Sequence, residues 1–240
     1  AGAMNLGGGV TTSGNQTWNA NITLTGNTNL VVNTASTGSI TFGSLANIDV
    51  LSYGLLIQAD NLTFNSGAQI ASSTHLGTLQ IQPFTASRTI GINTTSCANS
   101  ASAITCGMTL AGSLWSGSGA VFKDGFASIT VGSSVQTGNI NLLGGTSASP
   151  FVFTSPLVIQ QSSTCTASTS TCFAGTYGVS TTSNGYIQYQ GTSIISGGLT
   201  INAAKTAYLG AYTNISAISG DTLNISLKSY LATTGSIDLS

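Results

Sequence analysis

Charge is almost missing from this chain. Only 4% of its 240 residues are Asp, Glu, Lys or Arg, against roughly 25% in an average soluble protein. There are four cations, five carboxylates (Asp49, Asp60, Asp124, Asp221, Asp238), a single histidine (His75) and no glutamate. Most substrate chemistry uses ionisable side chains, so a catalytic site has few ways to be assembled. A net charge of -1 supplies no basic footprint for nucleic acid and no electrostatic hold on anionic lipid. No stretch approaches the ~20 consecutive apolar residues of a membrane helix. Helix formers such as Glu, Lys, Arg and Met are scarce, and helix signals with them. Disorder is excluded as well, because 41% of residues are hydrophobic and mean hydropathy is +0.31, the reverse of a disordered composition.

What the chain does contain is short alternating segments. Asn21-Ile22-Thr23-Leu24, Ser39-Ile40-Thr41-Phe42 and Leu55-Leu56-Ile57-Gln58 are early examples. Ser128-Ile129-Thr130-Val131, Leu199-Thr200-Ile201 and Leu223-Asn224-Ile225-Ser226 are later ones. An apolar residue at every second position is the signature of a strand with one buried face. The segments also resemble one another. Thr37-Gly38-Ser39-Ile40-Thr41-Phe42 reappears as Thr137-Gly138-Asn139-Ile140-Asn141-Leu142 and as Thr234-Gly235-Ser236-Ile237-Asp238-Leu239. Degenerate repetition of this kind marks a solenoid, in which each coil buries its apolar face only against its neighbours. A β-sandwich would call for frequent Asn-Gly or Asp-Gly hairpins, and only Asp124-Gly125 and Asn184-Gly185 occur. The expected fold is all-β, a right-handed parallel β-helix with loop insertions. At ~20 residues per coil it would make on the order of ten coils. Ala1 to Met4 reads as a cloning scar, and residues 5–240 as one β-helix segment of a larger protein.

Four cysteines form two local pairs, Cys97 with Cys106 and Cys165 with Cys172, each around a small polar interval. A zinc site needs tighter spacing or nearby histidines. Two disulfide-closed loops are expected, which places the chain in an oxidising compartment. His75 follows a turn-like stretch, has no His or Cys partner in sequence, and reads as a solvated loop residue. Arg88 reads as structural, capping carbonyls or covering apolar surface with its stem. Polysaccharide-acting β-helices need clustered carboxylates, and the five Asp are scattered. Asp49 and Asp60 would fall on different faces or edges if a coil exceeds their spacing. No catalytic residue, metal site or cofactor is therefore expected. Tyr186, Tyr189, Tyr208 and Tyr212 crowd the C-terminal quarter and are candidate ligand contacts, since Tyr beside Asn and Gln suits stacking on sugars.

Residues 79–92, Leu-Gln-Ile-Gln-Pro-Phe-Thr-Ala-Ser-Arg-Thr-Ile-Gly-Ile, resemble a recurrent stretch of filamentous-haemagglutinin-type secreted bacterial adhesins. Residues 55–68 and the three Thr-Gly-x-Ile copies resemble other units of that family. The resemblance implies a right-handed β-helix, export through an outer-membrane secretion partner, and a secreted or cell-surface location. It also implies attachment to a host-cell or glycan receptor, or a role in biofilm. A carbohydrate-binding module and a polysaccharide-acting β-helix enzyme are the alternatives.

Overall fold

One apolar face per strand needs a partner above and below. In the computed structural model the chain finds both by coiling. It is a parallel β-solenoid of about six turns with 2% helix. The structure describes residues 3–95, 97, 105–115, 117–143 and 151–160, together with the backbone of strands between Tyr186 and Asp238. The coil count is lower than the expected ten for two reasons. Side chains that reach the neighbouring coil are 21 to 27 residues from their partners rather than ~20. Elsewhere insertions lengthen the step, so that Asn93 bonds a residue 50 positions away.

The chain packs as two compact units. The first comprises Ala1–Thr85, Ser113–Thr130 and Thr154–Pro156. The second comprises Ala86–Gly112, Val131–Phe153 and Leu157–Ser240.

The first unit contains β1 (Met4–Thr12), β2 (Gln16–Trp18), β3 (Asn21–Val32), β4 (Ser39–Phe42) and β5 (Asn47–Asp49). These are followed by β6 (Gly54–Gln58), β7 (Asn61–Phe64), β8 (Gln69–Ala71) and β9 (Thr78–Gln82). β3 is long enough to pair with β1 on one side and with both β5 and β6 on the other. β2, β4 and β7 form a second sheet, while β8 follows β5 and β9 follows β6. Every one of these pairings is parallel. Parallel register places like on like: Ile22 over Ile48 over Ile70, and Leu30 over Ile57 over Ile81. All six are buried. Phe42 and Phe64 stack with ring centres 4.9 Å apart.

Where the ladder stops at a corner, an amide side chain continues it. Asn15 accepts from the Ser39 N–H, Asn19 from Leu45, and Asn27 from Gly54, at 3.0, 3.0 and 2.8 Å.

Three more strands follow in sequence, β10 (Ile90–Ile92), β11 (Met108–Leu110) and β12 (Ser128–Gly132). Between the last two, an insertion returns to the first unit. Ile70 of β8 donates to the Val121 carbonyl and accepts from the Lys123 N–H, which makes Phe122 a parallel bridge partner of an otherwise open edge. The Phe122 ring meets Phe64 edge-on at 5.5 Å, and Trp115 meets Phe122 at 4.9 Å. Trp115, Phe122 and Phe126 are all buried. The insertion therefore closes a sheet edge and an aromatic face together, which blunts a site of strand addition.

In the second unit β10 pairs with β11 and with β13 (Ile140–Leu143). β14 (Phe151–Phe153), β15 (Leu157–Gln160), β16 (Tyr186–Gln190), β17 (Thr192–Ile195) and β18 (Gly198–Ala203) come next. β19 (Thr206–Leu209), β20 (Asn214–Ala217), β21 (Asn224–Ser229) and β22 (Ser236–Asp238) complete the set. They stack in parallel as β13-β16-β19-β22, β14-β17-β20 and β15-β18-β21. Of the residues expected to face inward, Ile40, Phe42, Ile57, Ile81, Ile129, Ile140 and Ile159 are buried, while the side chains of Ile201, Ile225 and Ile237 lie outside the described residues.

Candidate functional site

The two carboxylates nearest each other in sequence have separate, structural tasks. Asp60 follows β6 and is fully buried. Its Oδ1 accepts from the Thr85 N–H at 2.7 Å, and its Oδ2 accepts from the Ser36 N–H at 2.6 Å and the Thr85 hydroxyl at 2.5 Å. Ser36 and Thr85 are 24 and 25 residues away, one coil in each direction. One carboxylate thus joins three successive coils.

Asp49 closes β5. Its Oδ1 accepts from the N–H groups of Leu51 and Ser73, and its Oδ2 from the Ser73 hydroxyl at 2.6 Å. Leu51 has a φ of 52°, a left-handed conformation that is costly for leucine. The Asp49 bond holds that turn. Burial pushes the Asp49 carboxyl up, but the Ser73 hydroxyl and the two N–H groups outweigh it, so its pKa lies below the ordinary 3.8. A depressed folded-state pKa contributes stability that is present above the unfolded value and lost as pH falls through the folded one. The stability gap between the parent chain and Asp49→Asn should therefore be full at neutral pH and close below pH 3.8, as read by urea unfolding across an acid series.

His75 is exposed at a left-handed turn with φ 59°. Among the described residues no cluster of three His, Cys, Asp or Glu could hold a metal. Arg88 is half-buried. Its stem lies so close to Gly107 that an added Cβ there would sit 2.5 Å from Arg88 Cγ. Its carbonyl accepts from Gln136 Nε2 at 2.6 Å.

Cys97 and Cys106 are disulfide-bonded, with Cα atoms 4.8 Å apart. Both are buried, and Cys106 packs against Gly91 of β10, where a Cβ would approach its sulfur to 2.5 Å. Cys165 and Cys172 lie outside the described residues. A separation of nine residues gives a loop whose closure is worth about 2–3 kcal/mol in the chain-entropy model. An unreduced digest should release residues 97 and 106 on linked peptides, and the same digest tests the second pair. Free thiols at 97 and 106 would contradict the structure.

Of the candidate tyrosines, Tyr186 and Tyr189 stand on β16 and Tyr208 on the adjacent β19. Tyr186 pairs with Thr206, Tyr189 with Leu142 and Leu209, and Tyr208 with Gln188 and Asp238. Three tyrosines thus occupy three different columns of the ladder. Tyr212 lies outside the described residues.

A set of residues in the first unit converges. Ala20-Asn21-Ile22, Ala46-Asn47-Ile48 and Ala68-Gln69-Ile70 are the same triplet on three successive coils. Isoleucine points into the core, which turns the amide outward. Asn21, Asn47 and Gln69 stand in register, all exposed, on strands about 4.8 Å apart. They line a groove of about 280 Å³ with Asn19, Ser44, Leu45 and Gly67. None of the residues lining it is charged. Leu45 is 64% exposed beside the amides, fixed there by the bond from its N–H to Asn19. Gly67 has a φ of 101°, and a Cβ on it would sit 2.7 Å from the Ser44 carbonyl oxygen. The corner is therefore built for glycine. Sequence reasoning overlooked this groove, although the Ala-amide-Ile triplet was there to be read.

No family model, curated protein or solved structure matches this chain. The fold defines it as a parallel β-solenoid. Its Cys97–Cys106 disulfide is compatible with a secreted or extracellular protein. Among the described residues no helix is long and apolar enough to cross a membrane.

Proposed function

We propose that the chain is a non-catalytic attachment segment of a large secreted or surface-exposed bacterial adhesin, acting between the bacterium and a host-cell or glycan receptor or within a biofilm. The observation that carries this reading is the use made of the carboxylates. Asp60 is buried under backbone and hydroxyl donors, and Asp49 holds a turn, so both act as staples between coils. A solenoid with a nearly uncharged surface suits presentation of repeated contact residues to a receptor. Export through an outer-membrane partner belongs to the same reading, and rests on the resemblance of residues 79–92 to secreted adhesins.

Labelled chain, with disulfides intact, should bind epithelial monolayers or biofilm matrix saturably and release no reducing sugar from neutral or acidic polysaccharides. Absence of saturable binding to both surfaces would overturn the attachment reading. Turnover abolished by a single Asp→Asn change would move the chain to the polysaccharide-acting enzymes.

A further inference from the structure

We infer that the groove over Asn21, Asn47 and Gln69 is a binding site for a neutral saccharide, an inference that rests on the attachment reading and names the ligand class. The argument begins with hydrogen-bonding capacity. Asn15, Asn19, Asn27, Asn61 and Asn93 commit their side chains to backbone groups. The amides of Asn21, Asn47 and Gln69 engage none of the described residues, and each retains an acceptor oxygen and two donor hydrogens. A sugar hydroxyl also donates and accepts, so amide and hydroxyl satisfy one another in either orientation.

Other ligand classes fit less well. No charged residue lines the groove, so an acidic or basic ligand would lose hydration without gaining a counter-charge. A wholly apolar ligand would strip water from three amides and return nothing. Leu45 adds what a sugar needs besides hydrogen bonds, an exposed apolar patch for the C–H face of a ring. The volume, about 280 Å³, is near the lower end of ligand clefts and suits one or two rings. The amides sit on paired strands and the corner is set by Gly67 and the Asn19–Leu45 bond. Little ordering is left to be done when a ligand arrives. Because the rungs repeat from coil to coil, a linear oligosaccharide can meet successive amides with successive rings.

The test is a ¹H–¹⁵N titration of the whole chain with cellobiose, maltose, lactose and N,N′-diacetylchitobiose. Glucuronic acid and an uncharged Ser/Thr/Asn hexapeptide serve as comparison ligands. At least one neutral disaccharide should shift the side-chain amides of Asn21, Asn47 and Gln69, and glucuronic acid should not. Asn47→Ala should weaken that binding about 2- to 10-fold, the loss of one net hydrogen bond, and Leu45→Ser should weaken it too. Asn29→Ala, exposed on β3 outside the groove, should bind as the parent does. Unchanged spectra away from the groove verify that each variant is folded. No localised shift with any neutral sugar up to its solubility limit overturns the inference, as does a shift produced by the peptide alone. Cell attachment is scored separately. Attachment without sugar binding removes the saccharide site and leaves the attachment reading standing. Sugar binding without attachment does the reverse.

Discussion

Asp60→Ala should lower the stability of the first unit by about 3–5 kcal/mol, since it leaves three part-buried donors without their acceptor. The donors are the Ser36 N–H, the Thr85 N–H and the Thr85 hydroxyl. At about 2–4 °C per kcal/mol for a chain of this size, Tm should fall by roughly 10 °C. Asp60→Asn separates two explanations. It keeps the volume but sets an N–H against a donor, so it should cost nearly as much as alanine if acceptor capacity is what matters. Solenoid stability is a sum of local terms. Hydrogen exchange should therefore accelerate first at Ser36 and Thr85, and only later at strands remote from them. A Tm within about 2 °C of the parent for both variants would mean that water replaces the carboxylate, and the stapling role would be lost.

Phe122→Ala should be comparably destabilising, by about 3–5 kcal/mol, because it deletes a buried ring from a packed aromatic set. That ring bridges Phe64 and Trp115, and its backbone covers Ile70 of β8. The second consequence is specific to this position. When the insertion loosens, the β8 edge and the Phe64 face open together, and open edges recruit other strands. Urea unfolding should show the stability loss, and light scattering should show concentration-dependent growth absent from the parent. Leu45→Ser, which changes an exposed side chain, should alter stability by no more than about 0.5 kcal/mol. A soluble Phe122→Ala chain with parental stability would show that the insertion rests on the edge without protecting it.

Much of the fold was legible in sequence because it is a local property repeated. Ile40 and Phe42, or Ile57 and Ile81, announce an inward face by alternation alone, and all are buried. The pairing of Cys97 with Cys106 was equally local, and the bond is present. The number of coils was not legible. The stretch between Ile90 and Ile140 contains a disulfide, a further strand and the aromatic insertion, yet β10 and β13 still pair directly. Periodicity counts residues, whereas the solenoid counts only those that enter the ladder.

The site divides along the same line. Composition determined that the surface would be amide and hydroxyl rather than charge, and repetition determined that coils would stack. The triplets at Ala20, Ala46 and Ala68 were visible as text, but only register makes their amides neighbours. Asp60 shows no partner in a linear string, because its partners lie 24 and 25 residues away on either side. A hydrogen bond depends on distance in space, and in a solenoid that distance is set by coil length. Coil length is the sum of turns and insertions, which side-chain periodicity does not encode and which only the tertiary structure decided.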